Sequence, residues 1–277
     1  AHWYRNKAEQ KRVQDKNDDA IILFKQAREI YEKESLVIEM IYTSLDLSAC
    51  YREERDFDSA KEKALEAIAL AKQTGATHLL ANPLMKIGII HKERNELDTA
   101  LEYYRQSLHY NQLFSNDQQL EYLFTNTGNI YRKQGKLQKA VQDYKKALHL
   151  NARFGNINSP LRIQNNLGMT YQAAGKHEQA LKILQMALRS TKIEKSPYAR
   201  AVVLNNTVTS LMELEDFEHA ERCLRQAEEL LKEINRPLVL GGTYTNFATL
   251  YLKQDDVPQA SKYIQYAVET IKDSFPY

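Results

Sequence analysis

The sequence predicts an all-α fold, a solenoid of seven helix-turn-helix repeats running through residues 1–277 as a single unit. Two registers of small residues and one column of rings predict it. Ala20, Ala60, Ala100, Ala140, Ala180, Ala220 and Ala260 recur every forty residues without a slip. Ala27, Ala67, Ser107, Ala147, Ala187, Ala227 and Ala267 keep the same period seven residues later. Small residues at fixed spacing mark close approach of helix backbones, and a period of 20–50 residues is the signature of a stacked array. Twelve residues before the first register sit Ala8, Ser48, Gly88, Gly128, Gly168, Val208 and Ala248. Three residues beyond those come Lys11, Tyr51, His91, Tyr131, Tyr171, Leu211 and Tyr251, mostly rings. The repeats are then 1–40, 41–80, 81–120, 121–160, 161–200, 201–240 and 241–277, each stabilised by its neighbours.

The elements follow in order within each repeat. Helix A ends near position 14, at turns such as Gln134-Gly135-Lys136 and Ala174-Gly175-Lys176, where glycine supplies the positive φ that closes a helix. Helix B starts near position 17, and Pro258 falls in its first turn in repeat 7, where a missing N–H is harmless. Position 24 reads Phe24, Ala64, Tyr104, Tyr144, Leu184, Leu224 and Ile264. Turns between repeats are expected at Gly75, Ser115-Asn116, Gly155-Asn156, Ser196-Pro197 and Arg236-Pro237.

The two ends differ. Helix A of repeat 1 is polar (Arg5, Asn6, Lys7, Glu9, Gln10, Lys11, Arg12), as suits a cap facing water. Repeat 7 runs through Tyr263, Ile264, Tyr266, Val268 and Ile271 to Tyr277 with no polar capping helix, so some of these side chains should be exposed. Tyr263, Tyr266 and Ile271 are the candidate surface for continuation of the chain or for a homodimer. Continuation is favoured, which would make these repeats the sensory part of a larger regulator.

Small at position 8, Tyr at 11, small at 20, large at 24 and small at 27 resembles the tetratricopeptide repeat. The segment from Asn166-Leu167-Gly168 through Tyr171 and Gly175-Lys176 to Ala180-Leu181 is its clearest copy. The resemblance implies two antiparallel helices per repeat and a right-handed superhelix. The usual unit has 34 residues, and six more helical residues add roughly 9 Å to each hairpin. Units this long look like those of bacterial signalling proteins and kinesin light chains.

Composition narrows the function. No run of eighteen apolar residues is present, so no membrane span is expected, nor a signal peptide at Ala1. Cys50 and Cys223 lie four repeats apart, and helices pack about 8–10 Å from each other. A disulfide needs Cα atoms within about 7 Å, so both are read as small core thiols. That favours a cytoplasmic setting, with a periplasmic sensor region as the alternative. The net charge of +2 hides a basic middle: residues 121–200 hold 14 Lys and Arg against 4 Asp and Glu. Lys136, Lys139, Lys145 and Lys146 map to the turn and helix B, a solvated outer side, and direct nucleic-acid binding is not expected. None of the seven histidines builds H-E-x-x-H, and C-x-x-C, G-x-G-x-x-G, the P-loop and G-x-S-x-G are missing. No catalytic residue, metal or cofactor is expected, and the chain reads as a non-enzyme.

The resemblance places positions 2, 5, 6, 9, 12 and 13 of helix A on an inner, concave wall. Position 6 reads Asn6, Asp46, Lys86, Asn126, Asn166, Asn206 and Asn246. A side-chain amide carries both donor and acceptor, so repeated asparagine can grip an extended peptide by its backbone. Asn126, Asn166, Asn206 and Asn246, with Asn129 at position 9, are the candidate rail for a peptide or protein segment. Modules of the family that hold peptides lengthwise are similar, kinesin light chains and pheromone-receiving regulators of Gram-positive bacteria among them. Position 12 adds Arg52, Lys92 and Arg132 near one end and Met212 and Leu252 at the other, a wall graded from cationic to apolar. The carboxylate clamp of chaperone adaptors needs cations at positions 2, 5 and 6 that no register supplies. The alternative function is a structural scaffold that assembles partners through its convex face and C-terminal end.

Overall fold

The helices close in the same way every twenty residues, at half the period visible in the sequence. The computed structural model describes residues 1–114, 117–153, 160–189 and 196–272. The expected turns at Ser115-Asn116 and Gly155-Asn156, and Tyr277, lie outside the described residues. In chain order the helices are α1 His2–Val13, α2 Asn17–Lys33, α3 Val37–Glu53, α4 Phe57–Gln73, α5 Ala81–Glu93, α6 Leu97–Leu113 and α7 Asp117–Lys133. They continue as α8 Leu137–Arg153, α9 Leu161–Ala173, α10 His177–Leu188, α11 Pro197–Glu213, α12 Phe217–Glu233, α13 Pro237–Lys253 and α14 Val257–Lys272. A short 3₁₀ turn, Thr77–Leu79, precedes α5. Odd-numbered helices are the A helices of the repeats and even-numbered ones the B helices.

At ten of the junctions between successive helices the described residues include one in the left-handed region. Gly75, Gly135 and Gly175 take it at φ near +70°, and Asp15, Ser35, Arg55, Asn95, Glu215, Asn235 and Asp255 take it at φ of +50° to +63°. At each of these except Gly75 the amide after it bonds back five residues, as in Lys136 to the Tyr131 carbonyl (2.8 Å) and Asp216 to that of Leu211 (2.9 Å). This is the Schellman closure, which satisfies carbonyls that the helix end would otherwise orphan. The next helix begins at once. Where position 16 is Asp it caps that helix, Asp56 accepting from the Ser59 amide at 3.1 Å and Asp256 from that of Gln259 at 3.1 Å.

The columns of small residues are the seams of the hairpins. All seven alanines of the first register are buried, as are the residues of the second. Position 8 is small because position 24 packs onto it. A Cβ on Gly88 would fall 2.6 Å from the Tyr104 ring, and one on Gly168 would fall 2.7 Å from Leu184. Ser48 and Ser107 fit by donating hydrogen bonds to facing carbonyls, those of Ala60 and Ala81, both at 2.7 Å. Cys50 is buried and Cys223 half-buried, both unbridged. Burial pushes the Cys50 thiol up to about 12, so it packs as an inert side chain.

The chain divides into two compact units, residues 1–130 and 131–277. In each, consecutive helices pack as hairpins, and A helices also touch the next A helix, α3 on α5, α9 on α11 and α11 on α13. Those A-to-A contacts create the shared face on which the candidate residues stand. No helix among the described residues is long and apolar enough to cross a membrane.

Two stability predictions follow from the seams and closures. Gly88→Ala should lower the unfolding free energy by about 1–2 kcal/mol: overpacking costs about 1–3 kcal/mol, and the gain in helix propensity offsets under about 1 kcal/mol. Arg55→Gly and Glu215→Gly should each raise stability by up to about 1 kcal/mol, because a side chain in the left-handed region costs roughly 1–2 kcal/mol. Urea titrations of the three variants beside the parent chain measure both effects.

Candidate ligand-binding face

The A helices meet through a fixed register. The side chain at position 6 of one repeat lies against positions 5 and 12 of the repeat before it. Arg5 donates to Asp46 at 2.8 Å, Asn206 to Asn165 at 2.8 Å and Asn246 to Asn205 at 3.4 Å, all joining position 5 to position 6. Position 12 reaches the same places. Lys92 Nζ donates to Asn126 Oδ1 at 2.9 Å, and Gln172 Nε2 donates to the Asn206 carbonyl at 2.6 Å. The asparagine column therefore ties repeat to repeat, a role that a search for binding residues overlooked. Its signal was already present, because position 5 supplies a polar partner wherever Asn165 and Asn205 occur.

The ties use the amides unequally. Asn126 is buried, and its Nδ2 bonds the Tyr122 carbonyl at 2.9 Å while its Oδ1 takes Lys92, so both ends are occupied. Asn129 and Asn166 are half-buried and already engaged with neighbours. Asn206 and Asn246 donate through Nδ2, and neither Oδ1 accepts a hydrogen bond within the described residues. Thr243 supports this second tie by accepting from Asn205 at 2.9 Å.

The cations of position 12 do not form one row. Arg52 is held by Glu93 at 3.2 Å and Glu53 at 3.4 Å, which answers the carboxylates at these positions. Arg132 turns inward to hydrogen-bond the buried Tyr144 phenol, which Thr170 also contacts; burial nevertheless pushes that phenol up to about 12. Arg132 thus stiffens its hairpin, because a buried phenol needs a polar partner. Met212 is buried and Leu252 is 51% exposed, so the apolar end of the column has one accessible member.

Lys86 stands apart. It is half-buried at position 6 and makes no hydrogen bond or ion pair with the described residues. Burial, followed by the nearby Arg52 and Arg12, draws its pKa below the usual lysine value. It lines an open cavity of about 320 Å³ with Arg52, Met85, Ile89, Gln119 and Tyr122. The sequence placed Lys86 in the asparagine column without marking it as a site; the one cation of that column was the available signal.

At the C-terminal end, Tyr266 and Ile271 are partly exposed, and Val268 is 60% exposed. Tyr263 corrects the expectation, being only 4% exposed. Its ring stacks on Phe247 at 4.4 Å and its hydroxyl accepts from Arg225 at 2.7 Å, so it belongs to the core of repeat 7. Ile271 also packs inward on Gly241, where a Cβ would sit 2.7 Å from its Cγ1. Lys136, Lys139, Lys145 and Lys146 are exposed on the turn and B-helix side. Among the described residues no three His, Cys, Asp or Glu side chains gather as a metal set.

No curated protein is detectably similar in sequence. Solved structures share the fold. A signal transduction ATPase with numerous domains and a tetratricopeptide repeat sensor, from Pyrococcus horikoshii, matches 98% of this chain and 43% of its own at a TM-score of 0.82 and 14% identity. The apo form of RapI matches 98% of this chain and 97% of its own at 0.70 and 13% identity. BtubC (BKLC) from P. vanneervenii matches 81% of this chain and 92% of its own at 0.69 and 21% identity. The family model for the tetratricopeptide repeat matches residues 39–109, 120–193 and 159–233, well over half of the sequence. With that match laid over the hairpins, seams and shared A-helix face described above, the chain belongs to the tetratricopeptide repeat family, whose repeats serve as protein-interaction modules.

Proposed function

We propose that the chain is a non-enzymatic receptor for an extended peptide or protein segment, which lies along the face shared by α9, α11 and α13. The observation that carries this reading is the pair of pinned amides in the second unit. Asn206 and Asn246 are each fixed by a bond to the preceding repeat, and each presents an Oδ1 that accepts nothing from the described residues. Two oriented acceptors one repeat apart suit the N–H groups of an extended backbone, and fixing them beforehand lowers the entropy lost on binding. The likeness to a signal transduction ATPase with a tetratricopeptide repeat sensor supports a sensing role, and we read the chain as part of a bacterial signalling or transcription regulator. The reduced, packed thiols suit a cytoplasmic setting.

A second reading rests on a different surface. Val257, Ile264 and Val268 are exposed on α14, an apolar stripe that a scaffold or a second copy could cover.

An arrayed library of unmodified 12-residue peptides, followed by calorimetry on the strongest binder, tests the first reading. The pair Asn206→Ala with Asn246→Ala should weaken that binder roughly tenfold, as expected for two hydrogen bonds of about 0.5–1.5 kcal/mol each. N-methylation of the ligand backbone at the contacting positions should weaken it comparably. Unchanged affinity in both arms, with assembly lost on charge reversal at Lys145 and Lys146 or on Val268→Asp, would transfer the function to the outer side.

A further inference from the structure

The joint between repeats 2 and 3 breaks the register that satisfies the rest of the A-helix face. In four other repeats the side chain at position 6 finds a complementary group one repeat back: Asp46 finds Arg5, Asn126 finds Lys92, Asn206 finds Asn165, and Asn246 finds Asn205. For Lys86 the two corresponding positions hold Leu45 and Arg52. Leu45 is buried and apolar, and Arg52 carries the same charge. The nearest carboxylates cannot answer both cations. Asp46 is bonded by Arg5 at 2.8 Å, and Glu93 and Glu53 are taken up by Arg52 at 3.2 Å and 3.4 Å, which leaves none on Lys86. Among the described residues Lys86 has no hydrogen-bond or ion-pair partner, on a face where neighbouring polar groups are matched.

The surroundings are shaped for what is missing. The cavity of about 320 Å³ opens beside the ammonium, with Arg52 and Gln119 on its wall. Arg52 Nε and Gln119 Oε1 are buried and unpartnered, so an unused guanidinium donor and a rotatable amide join Lys86. Met85, Ile89 and Tyr122 complete the lining with an apolar and aromatic surface. Two cations and an amide over a greasy floor match a carboxylate carried on an aliphatic stem. The charge supplies charge-assisted hydrogen bonds, and the stem covers the floor. A partly buried lysine beside an arginine disfavours the fold, and such local mismatches persist where function needs them.

We propose that this cavity in the first unit is an anion pocket that receives one carboxylate of a ligand between Lys86 and Arg52. The ligand is defined by this group alone, independently of the peptide-receiving reading. Its carboxylate can be an acidic side chain or a chain terminus, and the probes separate the two.

The experiment uses the whole chain with its lysines ¹³C-dimethylated, so that the Lys86 resonance, assigned through Lys86→Arg, reports directly. The probes are N-acetyl-glutamate amide, N-acetyl-leucine, N-acetyl-glutamine amide and inorganic phosphate. The glutamate and leucine probes carry the side-chain and terminal carboxylate. At least one of these two should shift the Lys86 resonance saturably, and binding followed by calorimetry on unmodified protein should weaken about tenfold or more in Lys86→Met. Lys86→Arg should restore it in part. The melting temperature of Lys86→Met should equal or exceed that of the parent, since removing an unmatched cation relieves the fold. A resonance that answers neither carboxylate, answers glutamine amide equally, or answers phosphate alone overturns the proposal. So does a Lys86→Met chain that melts well below the parent while binding carboxylate unchanged. The two readings fail separately. A peptide that needs Asn206 and Asn246, while neither carboxylate probe reaches Lys86, sinks only the pocket, and a carboxylate response at Lys86 without any bound peptide sinks only the receptor.

Discussion

The structure depends on one recurring event, the closure of a helix by a single left-handed residue followed by a backbone bond five residues back. Where this event falls at positions 15 and 35 of the described residues, most helices run 17 residues and the turns between them three, the 3₁₀ segment before α5 being an exception. That constancy keeps the seven alanines of the first register in phase. A closure one residue late would rotate every following side chain by about 100°, the angle per residue of a helix with 3.6 residues per turn. The alanine ladder is thus a consequence of the closures as much as a cause of the packing. A solenoid stabilised only by nearest neighbours has no long-range contacts to correct a phase error.

This explains what could be read from the sequence. Gly75, Gly135 and Gly175 announce their closures, because glycine takes positive φ without strain. Asn95, Asn235, Asp15 and Asp255 are the next most tolerant types and were legible in principle. Arg55 and Glu215 were not, because long side chains rarely occupy that region and nothing local favours it. There the bond from Asp56 to the Tyr51 carbonyl and the cap from Asp56 to Ser59 act together, and the period places the turn where local preference does not. The hairpin seams were legible throughout, since Gly88 and Gly168 are small for the steric reason that a periodic small residue suggests.

The candidate face was legible as a column but not as a circuit. Sequence places Asn126, Asn166, Asn206 and Asn246 at equivalent positions, and equivalence of position suggests equivalence of role. The structure separates them, because the role of an amide depends on what stands at positions 5 and 12 one repeat earlier. Asn126 meets Lys92, whereas Asn206 meets Asn165. Tyr263 shows the same limit at the end of the chain: its number in the repeat says little until Arg225, Phe247 and Tyr251 are placed around it.

Binding capacity on this face is what remains after the repeats have been joined. A polar side chain at position 6 has a fixed valence, two ends for asparagine and three donors for lysine. Joining uses both ends of Asn126 and one end of Asn206 and of Asn246. It uses none of Lys86. A face built for cohesion alone would place a carboxylate or an amide at residue 86, opposite Arg52, as Asp46 stands opposite Arg5. A lysine there lowers cohesion and raises the local positive potential, and the open cavity beside it gives that potential somewhere to act. The sites that bind and the sites that hold the solenoid together are therefore drawn from one column, and subtraction of the internal bonds distinguishes them.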